Sequence, residues 1–133
     1  MHTLQTSIQA GLPTIGYGHL IQSGEDFSEG ISEIEAEDLL KRDVQVATDA
    51  VRTHVSVPLN QNQFDALVSF GYNVGAKNFE DSTLIKRLNN GAYDEAASEF
   101  KRWNKITVDG KKVVSRGLIK RRAREEALFR KEP

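Results

Sequence analysis

The chain of 133 residues has no cysteine, which excludes both a disulfide framework and a thiolate metal site. Its three histidines, His2, His19 and His54, are too scattered to suggest a metal site of another kind. Charge of one sign is lacking too: 18 basic side chains stand against 19 acidic ones, so the overall balance selects no partner. No apolar run approaches the roughly 18 residues of a membrane span. Met1 to Ala10 has neither the basic nor the apolar part of a signal peptide, so the chain is expected to be cytosolic where it is made. The same ten residues contain no acidic side chain, an absence that gains meaning below.

What is present reads as one soluble globular unit of ordinary composition, 38% hydrophobic and 28% charged. Residues 11 to 22 hold glycines among β-formers (Thr14, Ile15, Tyr17) and predict a strand and turn. Ser32 and Glu35 form a capping box, opening a helix with apolar positions at Ala36, Leu39, Leu40, Val44, Ala47, Val51 and Val55 that runs to Pro58. Asn60 predicts the cap of a second helix, with Phe64, Leu67, Val68, Phe70 and Gly71 on its apolar face and its end near Gly75. Short helices follow, one opened by Asp81-Ser-Thr83 and one from Asp94 to Trp103. The Asp109-Gly110 pair between β-branched residues predicts a small hairpin, and a basic helix runs from Leu118 to Phe129.

Four blocks in order resemble the phage-type lysozymes of glycoside hydrolase family 24. They are Gly11-Leu-Pro-Thr-Ile-Gly-Tyr-Gly-His19; Pro58 to Leu67, continuing through Phe70 to Asn73-Val-Gly75; Ser82-Thr-Leu84 with Leu88-Asn89; and Arg116-Gly-Leu118 with Arg121-Arg122, Glu125 and Leu128-Phe129. The resemblance implies an α+β, mostly helical, lysozyme-like single domain over 1–133. It would comprise a small N-terminal hairpin lobe (1–31), a connecting helix (32–57) and a helical lobe (58–133), with a saccharide-binding cleft between the lobes.

The activity it implies is hydrolysis of the β-1,4 bond between N-acetylmuramic acid and N-acetylglucosamine in bacterial peptidoglycan. That chemistry needs an acid for the leaving oxygen and a second group that holds water or steadies the transition state. By the resemblance, Thr14 matches the threonine of the hairpin strand and would hold the attacking water. The family's aspartate falls near Ile8, which cannot ionise, and its glutamate falls just before Met1. Three explanations compete: a truncated chain, a degenerate relative kept for binding, or another carboxylate, Glu25 or Asp26, acting as the acid.

Leu20, Tyr72 and Thr83 match positions facing the substrate. His19 is expected to pair with Asp43 on the long helix, each favouring the charged form of the other, and so to be structural. Arg121 matches the arginine that pairs with the family's glutamate and is expected to lack that partner here. Trp103, Phe100, Phe70, Phe64 and Phe129 read as core, and Gly16, Gly18, Gly75 and Gly117 as backbone positions requiring small residues.

The basic residues Lys111, Lys112, Arg116, Lys120, Arg121, Arg122, Arg124, Arg130 and Lys131 are interrupted by Glu125 and Glu126 and lack interleaved aromatics. They are expected to be a solvated face that speeds encounter with an anionic wall, with no nucleic-acid or membrane partner. No metal and no cofactor are expected. The expected partner is bacterial peptidoglycan, reached from the host cytoplasm after release by another factor. Self-association is expected if the absent first helix leaves apolar surface uncovered. The rivals to an enzyme are a non-cutting peptidoglycan-binding module and a structural domain on the same fold.

Overall fold

The computed structural model describes residues 3–4, 7–9, 12–15, 19–20 and 31–133, the residues before Ser32 by their backbone alone. Five short strands come first: β1 (Thr3–Leu4), β2 (Ser7–Gln9), β3 (Leu12–Ile15), β4 (His19–Leu20) and β5 (Ile31–Ser32). Antiparallel β2-β3-β4 forms one sheet and β1-β5 another. Residues 3–4 and 7–9 are therefore extended, and Ile8 lies in a strand opposite Pro13. The expectations for Gly16, Gly18, Glu25 and Asp26 lie outside the described residues.

Ser32 caps the long helix α1 (Glu33–His54), accepting from the Glu35 amide at 3.2 Å. Only this half of the predicted box forms. Ser32 also belongs to β5, facing Thr3, and the Glu35 carboxylate meets the Ser32 hydroxyl at 3.2 Å. At about 1.5 Å per residue, α1 is roughly 33 Å long. Its ends are anchored by buried Ala36 and Leu39 and by Ala47, Ala50 and Val51. Between them no residue from Leu40 to Val46 is buried, and Val44, predicted to face inward, is 40% exposed. The three-and-four spacing continues through this stretch, but among the described residues none of its side chains joins the buried core.

Helix α2 (Gln61–Val74) carries a complete capping box: Asn60 Oδ1 accepts from the Gln63 amide at 2.8 Å and Gln63 Oε1 from the Asn60 amide at 2.9 Å. It packs on both α1 and α6 (Arg116–Arg130), the last helix. Phe70, fully buried, meets Phe100 at 5.4 Å and Trp103 at 5.6 Å edge-on, and Phe79 at 6.2 Å. Phe129 extends this aromatic cluster through Phe100, while Phe64 and Trp103 pack on its margin, so the predicted aromatic core is present.

Gly75, at φ +91°, ends α2 and begins a helix absent from the sequence reading, α3 (Ala76–Asp81). Its buried Phe79 lies against Gly71, where an added Cβ would approach the ring to 3.2 Å. Ser82 then caps α4 (Thr83–Asn89), accepting from the Ile85 amide at 3.3 Å. The predicted Asp94–Trp103 helix divides into α5 (Tyr93–Glu99) and a 3-10 turn (Phe100–Arg102). Asn89 clamps two elements, its amide donating to the His54 carbonyl at 2.7 Å and its carbonyl accepting from the Ser56 amide at 2.8 Å.

The predicted hairpin is β6 (Lys105–Val108) paired with β7 (Lys111–Val114). Asp109 at φ +49° and Gly110 at φ +76° make its turn. Helix α6 starts two residues earlier than predicted because Ser115 caps it, accepting from the Leu118 amide at 3.2 Å. Gly117 thus lies in its first turn, where an added Cβ would meet only Ser115 Oγ at 3.8 Å, so packing does not require glycine there.

Candidate active site

Three helices bring polar side chains together. On α2, Ser69, Tyr72 and Asn73 follow at intervals of three and four, placing them on one face, and α6 offers Arg121, Arg122 and Glu125 by the same spacing. Glu125 is 4% exposed and Arg122 1%. Ser69 Oγ donates to Glu125 Oε2 at 2.5 Å, and Arg122 Nη2 donates to Asn73 Oδ1 at 2.8 Å and to Glu125 Oε2 at 3.3 Å. Arg122 Nε lies 2.7 Å from Glu125 Oε1, an ion contact that is not aligned as a hydrogen bond. The Arg122 guanidinium also lies over the Phe70 ring, 5.2 Å from its centre.

Burial dominates the chemistry of this pair. It pushes the Glu125 carboxyl up from its ordinary value, against the opposing pull of Arg122, Ser69 and Arg121. It likewise lowers Arg122 to about 10, against the charge of Glu125 and together with that of Arg121.

Arg121 sits at the edge of this cluster. It is half-buried, its Nε 3.4 Å from Glu125 Oε2 and its Nη2 3.4 Å from the Ser69 carbonyl. It is therefore partnered within its own lobe, by a carboxylate four residues along the same helix. Sequence spacing carried that signal, since Arg121, Arg122 and Glu125 stand at i, i+1 and i+4. Of the two residues that complete the network from α2, Asn73 had only its place in the second motif block and Ser69 had no local signal of a role.

Tyr72 is half-buried beside it. Burial raises its phenol pKa most, the negative charge of Asp43 raises it further, and the positive charge of Arg121 opposes both. Asp43 on α1, Tyr72 on α2 and Arg121 on α6 thus share one electrostatic neighbourhood. The fourth helical candidate, Thr83, is exposed in the first turn of α4.

On the strand side, Thr14 in β3 stands opposite Leu20 in β4, and Ile15 opposite His19. The register makes two of the predicted substrate-facing residues cross-strand neighbours. β4 also contacts α1, the helix that bears Asp43. The side chains of Thr14, His19 and Leu20 lie outside the described residues. Among the described residues, no cluster of three metal-ligating side chains is present and no helix is long and apolar enough to cross a membrane.

A long helix leading from small antiparallel sheets into a helical lobe, with polar groups of three helices gathered on α2, defines a lysozyme-like fold. The chain belongs to the phage lysozyme family, whose model matches residues 2–125. It is 43% identical over 121 residues to the endolysin of Acyrthosiphon pisum secondary endosymbiont phage 1, covering 91% of this chain and 82% of that one. It is 51% identical over 118 residues to the endolysin of Bacillus phage PZA, covering 87% of this chain and 43% of the relative, so it spans less than half of that protein. Among solved structures, the muramidase domain of SpmX from Asticaccaulis excentricus superposes with a TM-score of 0.74 at 38% identity, over 96% of this chain and 86% of that one.

Proposed function

We propose that this protein is a peptidoglycan muramidase of the phage lysozyme type, acting at the bacterial cell wall. Family membership across residues 2–125 carries the reading. The gathering of Asp43, Tyr72 and Arg121 beside the junction of α1 and α2 supports it. Thr14 and Leu20 would form the strand wall of the saccharide cleft, and Tyr72 and Thr83 the helical wall. The Tyr72 ring would face a sugar ring, and Thr14 would hold the attacking water. His19 and Asp43 would brace the junction.

The sequence from Met1 to Pro13 holds no carboxylate that could protonate the leaving oxygen. General acid catalysis contributes about 10²–10⁴-fold, so these 133 residues alone are proposed to cut slowly. The same observation favours a second reading, a module that grips peptidoglycan without cutting it. Turbidity clearing of permeabilised Gram-negative cells, beside a pull-down on insoluble peptidoglycan, separates the two. Slow clearing with binding is the expected result. Binding with no clearing selects the second reading, and neither activity would overturn both.

A further inference from the structure

The β6–β7 hairpin is the one described element whose apolar side chains stay in solvent on both strands. Val108 is 45% exposed, Val113 40% and Val114 56%, and Ile119, on α6, is 43% exposed. Strand alternation and the register Ile106↔Val113 and Val108↔Lys111 put Ile106, Val108, Val113 and Lys111 on one face. Lys105, Thr107, Lys112 and Val114 share the other. Among the described residues, the hairpin is tied at its base by the Ser115 amide donating to the Asn104 carbonyl at 2.8 Å.

Charge selects what covers this surface. From Lys105 to Lys120 there are five cations, Lys105, Lys111, Lys112, Arg116 and Lys120, against the single anion Asp109, in a chain whose total charge is near neutral. A second copy packed on the same face would set like charges against each other. A soluble anionic polymer would use the lysines and leave the valines in water. An anionic bilayer surface takes both, phosphates receiving the ammonium groups and the headgroup boundary receiving the valines.

We propose that the β6–β7 hairpin is a docking surface for anionic phospholipid. Val108 beside the turn and Val113 further along the same face enter the headgroup layer, while Lys111 on that face and Lys112 on the other hold lipid phosphates. The attachment is peripheral and reversible and uses none of Asp43, Tyr72 and Arg121, so it stands whether or not the muramidase reading does.

The test is co-sedimentation of the whole chain with phosphatidylcholine vesicles, with and without phosphatidylglycerol, at low and high salt. Binding is expected only with phosphatidylglycerol, weakening as salt rises. Each surface lysine contributes roughly five-fold, so Lys111→Gln with Lys112→Gln should weaken binding about thirty-fold. Val108→Ser with Val113→Ser should weaken it about ten-fold or more, the transfer of two apolar side chains being lost. Both double variants change exposed side chains, so circular dichroism should match the parent. Equal binding to both vesicle types overturns the proposal. So does binding indifferent to the valine pair, which would mark a purely electrostatic polymer site, and so does self-association in the ultracentrifuge that the valine pair abolishes.

Discussion

Glu125 is a carboxylate taken out of water by its own helix and held by three partners, which makes its removal and its neutralisation different experiments. Glu125→Ala leaves Arg122 buried without its counter-charge and should cost about 3–5 kcal/mol of stability, read from a denaturant midpoint. Glu125→Gln keeps the shape and removes the charge. Because burial raises the folded pKa of Glu125 above its unfolded value, the folded state holds the proton more tightly. Its contribution is fully present below the unfolded pKa and is lost as pH rises through the folded one. From about pH 4 upward, the stability difference should therefore move in favour of the glutamine variant; a difference that moves the other way would mean pairing outweighs burial. Tyr72 gives a second reading of the same neighbourhood. Its phenol should titrate above the ordinary value, with Asp43→Asn lowering the pKa and Arg121→Gln raising it, followed by NMR of ring-labelled tyrosine.

At the scale of elements, local chemistry was legible wherever one residue decides it. Ser32, Asn60 and the Asp109-Gly110 turn each fix a helix start or a hairpin through their own hydrogen bonds or backbone angles. What the sequence did not disclose depends on neighbours distant along the chain. Val44 keeps perfect helical spacing yet is exposed, because periodicity records a face and says nothing of whether a core lies under it. Helix α3 was missed because the stop signal of α2, Gly75, is also where α3 begins. Two substitutions test the packing directly. Gly71→Ala sets a methyl 3.2 Å from the Phe79 ring and should destabilise by about 1–3 kcal/mol through overpacking, measured by chemical denaturation. Asn60→Ala removes one arm of a capping box and should cost about 1 kcal/mol.

At the scale of the molecule, the family was legible because four motif blocks keep their order along the chain, and the family model covers residues 2–125. The candidate site was legible only in part. Tyr72 and Arg121 were singled out from matching positions, and the structure brings Tyr72 into the field of both Asp43 and Arg121. Arg121 was expected to stand without a partner, the family's glutamate falling before Met1, whereas Glu125 pairs with it from the next turn of the same helix. Activity belongs to this scale as well. Adding an upstream segment with a glutamate about fifteen residues before Thr14 should raise clearing by about 10²–10⁴-fold if general acid catalysis is the missing contribution; no gain would show that the limitation lies elsewhere.

The Asn89 clamp decides where the long helix can bend. Its two hydrogen bonds fasten the last turn of α1 and the residue beyond it to α4, so that end moves with the helical lobe. The roughly two turns from Leu40 to Val46 have no buried side chain. Asp43 is the polar tie within that span, through its field on Tyr72, and relative motion of the two ends is expected to concentrate around it, where side-chain burial is least. Amide hydrogen exchange should be fastest across residues 40–46 and slow from Ala47 to His54, and Asn89→Ala should shift the fast zone toward the C-terminal end.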